Sequence, residues 1–324
     1  MSGSARTPEA LLRRLEWTVL RRLDGLLQGD YRSLFRGSGI DLANLREYQQ
    51  GDDVRYIDWN VTARLQTPYL REYQEDRELT AWFLLDLSAS VDFGSGAVVK
   101  RQVLAEFVGV MARLLTSKGN PCAALLFSGG IDRVVPARTG RRQVLHLLNL
   151  LAVRPHLVRP TQTDLGSVLR QASNMLRRRS LLFVVSDFVS TPGWEKPLGF
   201  LARHHEVIAI RLTDPADEHV PDLGLLAFQD AETGEQLLID TNDRAFRRRF
   251  NTAAQQEQDL QRIAFARAGV DCLELSTDDD LLDAIVRFVQ TRKQRSQGRF
   301  GSAVPMAHLE LQSTSGPLPA QGVA

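Results

Sequence analysis

The sequence predicts a doubly wound α/β domain, a mostly parallel sheet covered by helices on both faces. Two observations carry this expectation. Short, almost unbroken apolar runs (AWFLLD, CAALLF, LLFVVSD, EVIAIRL, VDCLELS) recur along the chain, as strands buried on both faces require. Between them lie stretches whose apolar residues repeat at helical spacing, and this alternation is the pattern of parallel strands joined by crossover helices. A chain of 324 residues, 43% hydrophobic and 24% charged, is long enough to bury a sizeable core.

Taken in order, residues 1–78 form a leading segment. From Pro8 to about Gln28, Leu12, Leu15, Val19, Leu23 and Leu26 give one amphipathic helix, with Arg13, Arg14, Arg21 and Arg22 making a basic side. Docking on its own domain is the expected use of that helix; a membrane-surface or partner-binding helix is the alternative. The polar stretch from Phe35 to Glu78 has too little periodicity for a helix or a regular sheet and reads as loops and short strands. The main domain spans 79–293. Its first strand ends at Asp86. A helix follows with Val99, Val103, Phe107, Val110 and Leu114 on one face, then the strand CAALLF. IDRVVPA can pair back antiparallel after Gly129 and Gly130. RRQVLHLLNLLAV is a helix, and TDLGSVLRQASNMLRR another, opened by Thr163 and Asp164 in cap positions. The strand LLFVVSD, the helix GWEKPLGFLARHH and the strand EVIAIRL continue the alternation. An inserted hairpin at about 223–241 interrupts it. A long helix from about Asp243 to Gly269, the strand VDCLELS and a helix to about Arg292 close the domain. From about 294 to 324 the chain is rich in Gly, Ser, Pro and Gln and reads as a disordered tail.

The 40 Lys and Arg residues are balanced by 39 Asp and Glu, so the net charge of +1 gives no global reason to expect a nucleic acid or an acidic membrane as partner; local patches stay open. The two cysteines, Cys122 and Cys272, are far apart and form no C-x-x-C pair, which argues against a disulfide framework or a zinc site. They read as buried thiols. The start of the chain lacks the features of a signal peptide, and no apolar stretch reaches the roughly 18 residues of a membrane span, so a cytoplasmic protein is expected.

In doubly wound sheets functional groups gather beyond the carboxyl ends of the strands, where strand order reverses. Asp86 ends the first core strand, and Ser88 and Ser90 follow at every second position. Asp187 ends another strand in the same way, and Thr163 opens a helix where its hydroxyl can face the same rim. Two carboxylates and three hydroxyls are all hard oxygen donors, which suit Mg²⁺ or Mn²⁺ better than zinc or copper. With so few anions such an ion would keep positive charge and want a carboxylate from elsewhere. Thr161 is the nearest rival to Thr163.

These motifs, D-L-S-A-S, the later T-D-L-G and V-S-D-F, resemble the metal-ion-dependent adhesion site of von Willebrand factor A domains. The resemblance implies hydroxyl ligands from Ser88, Ser90 and Thr163, carboxylates from Asp86 and Asp187, and a Glu or Asp of a partner completing an octahedral shell. A narrower resemblance covers most of the chain. LREYQQGDDVRYIDWNVTAR, DLSASVDFGS and RLTDPADEHVPDLG are similar to the bacterial family called domain of unknown function 58. That resemblance implies an A-type domain and a partnership with a MoxR-like AAA+ ATPase acting on a client protein. Many relatives carry two N-terminal membrane helices; this chain does not, which favours a soluble member.

Enzyme readings are weaker. Asp86 could be a nucleophile in a Mg²⁺-dependent phosphatase, but that chemistry usually wants a second carboxylate two residues on, where Ser88 stands. The chain has no G-x-S-x-G elbow, no phosphate loop and no H-E-x-x-H. In GDDVRYIDW, residues Asp52, Asp53, Arg55 and Asp58 form either a partner surface or intramolecular ion pairs. Trp59 and Trp82 read as packing anchors.

Overall fold

The computed structural model describes residues 7–26, 44–49, 52–54, 57, 59–72, 79–152, 163–229 and 236–298. The chain opens with a helix, α1 (Pro8–Leu15), started by Thr7, whose side chain accepts from the Ala10 amide. It passes through a π-helical turn, Glu16–Leu20, into α2 (Arg21–Leu26). In the leading segment, β1 (Asn44–Glu47) pairs antiparallel with β2 (Tyr69–Glu72). Between them lies α3 (Trp59–Leu65), a short helix the sequence reading did not anticipate because its seven residues are too few to show a period.

The core is a six-stranded sheet built from β3 (Ala81–Asp86), β4 (Cys122–Phe127), β5 (Ile131–Arg138), β6 (Leu181–Ser186), β7 (Glu206–Thr213) and β10 (Asp271–Ser276). The strand order across it is β10-β7-β6-β3-β4-β5, and every pairing is parallel except β4 with β5. The fold is therefore the expected doubly wound α/β arrangement, a mostly parallel sheet with helices on both faces. Along β3, successive side chains alternate between faces as the pleat demands: Phe83 and Leu85 enter one apolar cluster, Leu84 the other. The first cluster is closed by α4 (Lys100–Ser117), α5 (Arg141–Ala152), α10 (Leu281–Gly298) and the N-terminal helix, whose Leu12, Leu15, Val19, Leu20 and Leu23 are all buried there. The second is closed by α6 (Leu165–Met175), α7 (Glu195–His204) and α9 (Arg244–Ala268). Docking of the N-terminal helix on its own domain is thus observed. The approach is close at Gly109 of α4, where a Cβ would stand 3.0 Å from Leu15 Cδ1.

A short helix, α8 (Pro215–Glu218), follows β7, and the hairpin β8 (Leu225–Gln229) with β9 (Gln236–Asp240) stands apart from the core sheet. Leu225, Leu237 and Leu238 are exposed on it. The turn of this hairpin, 230–235, lies outside the described residues. Helix α10 reaches Gly298, past the expected domain end at 293, and residues 299–324, read from the sequence as a tail, also lie outside. Trp82 packs against the second cluster as expected, whereas Trp59, expected to be a packing anchor, is 69% exposed on α3. Cys122, buried, and Cys272, half-buried, form no disulfide, and burial pushes each thiol up to about 12.

Candidate metal centre

The order of strands reverses between β3 and β6. From β3 the chain crosses to β4 on one side, and it later returns to lay β6 on the other. The crevice beyond the carboxyl ends of these two neighbours is where such a fold leaves backbone and side chains free for function. Asp86 is the last residue of β3, and Ser186 and Asp187 end and follow β6, so parallel pairing brings residues a hundred positions apart to one rim.

Asp86 is 1% exposed. Its Oδ1 accepts from the Ser88 amide at 2.9 Å and its Oδ2 from Ser186 Oγ at 2.6 Å. The Ser88 and Ser90 hydroxyls lie 3.0 Å apart on the loop that follows Asp86. Burial, with the Asp187 carboxylate adding to it, pushes the Asp86 carboxyl up from 3.8 to about 7, against the hydrogen bonds of Ser186 and Ser88. Asp187 is also buried. Its Oδ1 accepts from the Val189 amide at 3.1 Å, while Oδ2 accepts no hydrogen bond and has Lys100 Nζ at 3.5 Å. Lys100, the first residue of α4 and only 3% exposed, also reaches Asp217 Oδ2 at 2.8 Å. Thr163 is buried. Its carbonyl accepts from Ser190 Oγ at 2.8 Å and from the Thr191 amide at 3.3 Å, which ties its segment to the loop carrying Asp187. Asp164 caps α6 through the Ser167 amide.

Two further features stiffen the rim. Phe188, directly after Asp187, has φ of +58°, an unusual backbone for a bulky residue. It is held there by its amide bonding Ser186 Oγ at 2.9 Å and by Trp194 and Phe265, with ring centroids at 5.2 and 4.9 Å. On the other side, Arg101 clamps the loop after β3 by pairing with Asp92 and reaching the Leu87 carbonyl. Asp214 Oδ2 accepts from the Ser95 amide at 3.0 Å and from Thr277 Oγ1 at 2.6 Å. Burial raises the Asp214 carboxyl, but the hydrogen bonds from Ser95 and Thr277 outweigh it and hold the group below its ordinary value.

The structure thus brings together Asp86, Ser88, Ser90 and Asp187, with Thr163 attached to the loop beside them. It adds Ser186 and Lys100, which sequence reasoning missed. Ser186 left a trace, as the one polar residue in the run LLFVVS; Lys100 left none. Asp52 and Asp53 lie elsewhere in the chain. Asp52 closes a local turn by accepting from the Gln49 amide at 2.9 Å, and Asp53 is exposed. Arg55 and Asp58, and Thr161, lie outside the described residues.

Chemically the rim offers hard oxygen. Among the described residues no group of three or more His, Cys, Asp or Glu side chains is placed to hold a metal ion. The two buried carboxylates, with Asp187 Oδ2 taking no hydrogen bond, are hard oxygen donors of the type Mg²⁺ and Mn²⁺ favour.

A family model described as "Protein of unknown function DUF58" matches residues 44–260. The chain belongs to the DUF58 family. An uncharacterized protein of Mycobacterium tuberculosis, Rv1480, is 39% identical over 288 residues, covering 88% of this chain and 90% of that protein. An uncharacterized protein of Mycobacterium avium, MAV169, is 37% identical over 161 residues, 49% of this chain and 94% of its own length. Among solved structures, BatB from Bacteroides thetaiotaomicron aligns over 67% of this chain and 99% of its own at 14% identity, with a TM-score of 0.45. The VWA domain of SpRpn10 aligns over 65% of this chain and 95% of its own at 14% identity, with a TM-score of 0.36. The fold of this DUF58 protein rests on its own strand order rather than on these alignments. No helix among the described residues is long and apolar enough to cross a membrane.

Proposed function

We propose that this DUF58 protein is a non-enzymatic, metal-dependent binding adaptor in the cytoplasm, working with a MoxR-type AAA+ ATPase in the maturation or assembly of a client protein. The observation that carries the reading is the pair of buried carboxylates, Asp86 and Asp187, at the switch point with the Ser88 and Ser90 hydroxyls beside them. Asp86, Ser88, Ser90, Thr163 and Asp187 would hold Mg²⁺ or Mn²⁺, which supplies a positive centre for a Glu or Asp of the partner. Ser88 and Ser186 fix the Asp86 carboxylate in one orientation. Lys100 balances the charge of Asp187, and the Arg101–Asp92 pair holds the serine loop in place for docking. The MoxR-type partner rests on the family resemblance. The non-enzymatic reading is supported by position 88, where Ser88 stands in place of the second carboxylate that aspartyl-phosphate chemistry usually wants.

The test is co-purification of the tagged chain from its native cells in Mg²⁺ and in EDTA, with Asp86→Ala beside the wild type. An AAA+ ATPase or client retained only in Mg²⁺, and lost in the folded variant, is the expected outcome. The same partners held by Asp86→Ala would overturn the reading, and hydrolysis of a phosphoester by the purified protein with Mg²⁺ alone would replace it with the phosphatase.

A further inference from the structure

The N-terminal helix buries its apolar side, yet a cleft of about 400 Å³ stays open between it, the C-terminal half of α4 and the first residue of α5. Four guanidinium groups line this cleft, those of Arg13, Arg21, Arg113 and Arg141, with Glu16 the one carboxylate among them. Glu16 is already shared, lying 3.0 Å from Arg113 Nε and 3.4 Å from Arg141 Nη1. Arg13 and Arg21 pair with no carboxylate among the described residues. With four guanidiniums against one carboxylate, the cleft carries a surplus of positive charge among the described residues, in a chain whose net charge is only +1.

An independent feature marks the same place. The π-helical turn Glu16–Leu20 puts Glu16, Trp17 and Leu20 on the cleft; such turns are rare and concentrate at functional sites. Trp17 is 68% exposed, and Arg21 Cζ stacks 3.9 Å from the centre of its ring. An exposed indole lining the same cleft as several guanidiniums matches a layer that is part apolar and part anionic.

We propose that this cleft binds the surface of an anionic phospholipid bilayer, with Trp17 entering the headgroup layer and Arg13, Arg21, Arg113 and Arg141 meeting the lipid phosphates. A compact basic cluster around a single aromatic side chain fits headgroups better than a nucleic-acid strand, which is bound along a groove with successive stacking platforms. The placement has a consequence for orientation. Helix α4 begins at Lys100, beside Asp187, and ends at Ser117 in the cleft; its 18 residues span about 26 Å. A chain docked through the cleft would hold the Asp86 rim away from the bilayer, open to a protein partner. The proposal does not depend on metal binding at that rim.

The test is co-sedimentation of the full chain with vesicles of phosphatidylcholine containing roughly a quarter phosphatidylserine, and with phosphatidylcholine alone, at low ionic strength. The wild type should sediment with the anionic vesicles only, and added salt should release it. Arg13→Gln with Arg21→Gln, neither of which loses an ion pair, should weaken binding by about thirtyfold. Trp17→Phe should weaken it as well, while Asp86→Ala should bind as the wild type does. No sedimentation of the wild type, or equal binding by the double variant, would overturn the proposal. So would preferential capture of a single-stranded oligonucleotide that the double variant loses, which would assign the cleft to nucleic acid.

Discussion

Asp86, 1% exposed, sits between two hydrogen-bond donors, and burial pushes its carboxyl up from 3.8 to about 7. A raised carboxyl means that the folded chain holds its proton where the unfolded chain has released it. Stability in EDTA should therefore fall as pH rises from about 4 to about 7 and level off above, by up to about 4 kcal/mol for a shift of that size. Urea denaturation across this range checks it, and Asp86→Asn should flatten the profile. A stability that rises over the same interval would show that Asp86 does not dominate the titration. Lys100 gives the complementary prediction. Removing one partner of a buried ion pair strands the other, so Lys100→Met should cost about 3–5 kcal/mol in EDTA. Part of that loss should return on adding Mn²⁺, because the added cation restores a counter-charge to Asp187. An equal loss with and without Mn²⁺ would mean that no ion reaches Asp187.

At the scale of elements, the loop between β3 and α4 is where sequence and site meet. A Cβ on Gly94 would collide with the Val98 carbonyl oxygen and come within 2.7 Å of Val99 Cα, both backbone atoms with little freedom to retreat. Gly94→Ala should therefore displace the loop that carries Ser88 and Ser90, costing about 1–3 kcal/mol. It should also weaken Mn²⁺ binding measured by titration calorimetry, and unchanged stability would show that the loop can relax. The N-terminal helix is as much part of the fold as any crossover helix, since Leu12 and Leu23 are fully buried against the first apolar cluster. Leu12→Ala should cost about 2–5 kcal/mol, read as a lower urea midpoint with an unchanged slope. A loss under about 1 kcal/mol would mean the helix docks only loosely.

For the whole molecule, the sheet divides the apolar interior in two, and the N-terminal helix closes one half. Deleting residues 1–26 should uncover that half, so the shortened chain should bind a hydrophobic dye and aggregate on warming where the full chain does not. A soluble, cooperatively melting truncation would show instead that the α/β domain is complete without its leader. The two ends of α4 set the larger geometry: the Asp86 rim is at one end and the arginine cleft at the other.

The sequence by itself determined the strands and helices of the main domain, because strands buried on both faces must be apolar throughout and crossover helices must show a stripe. It also marked Asp86, Ser88, Ser90 and Asp187, since a carboxylate or hydroxyl closing a buried strand stands out against its neighbours. It did not reveal α3, too short to show a period, nor that Trp59 would face solvent. Only the tertiary structure decided which groups share the rim. Ser186 meets Asp86 because two strands a hundred residues apart pair in one register, and Lys100 meets Asp187 and Asp217 because α4 begins beside the loop after β6 and the short helix α8. The arginine cleft has the same origin: Arg13, Arg113 and Arg141 are scattered in sequence and become one charged surface only when three helices pack together. Local pattern records what a residue is and what its own element buries; long-range packing alone selects its neighbours, and with them its pKa and its partners.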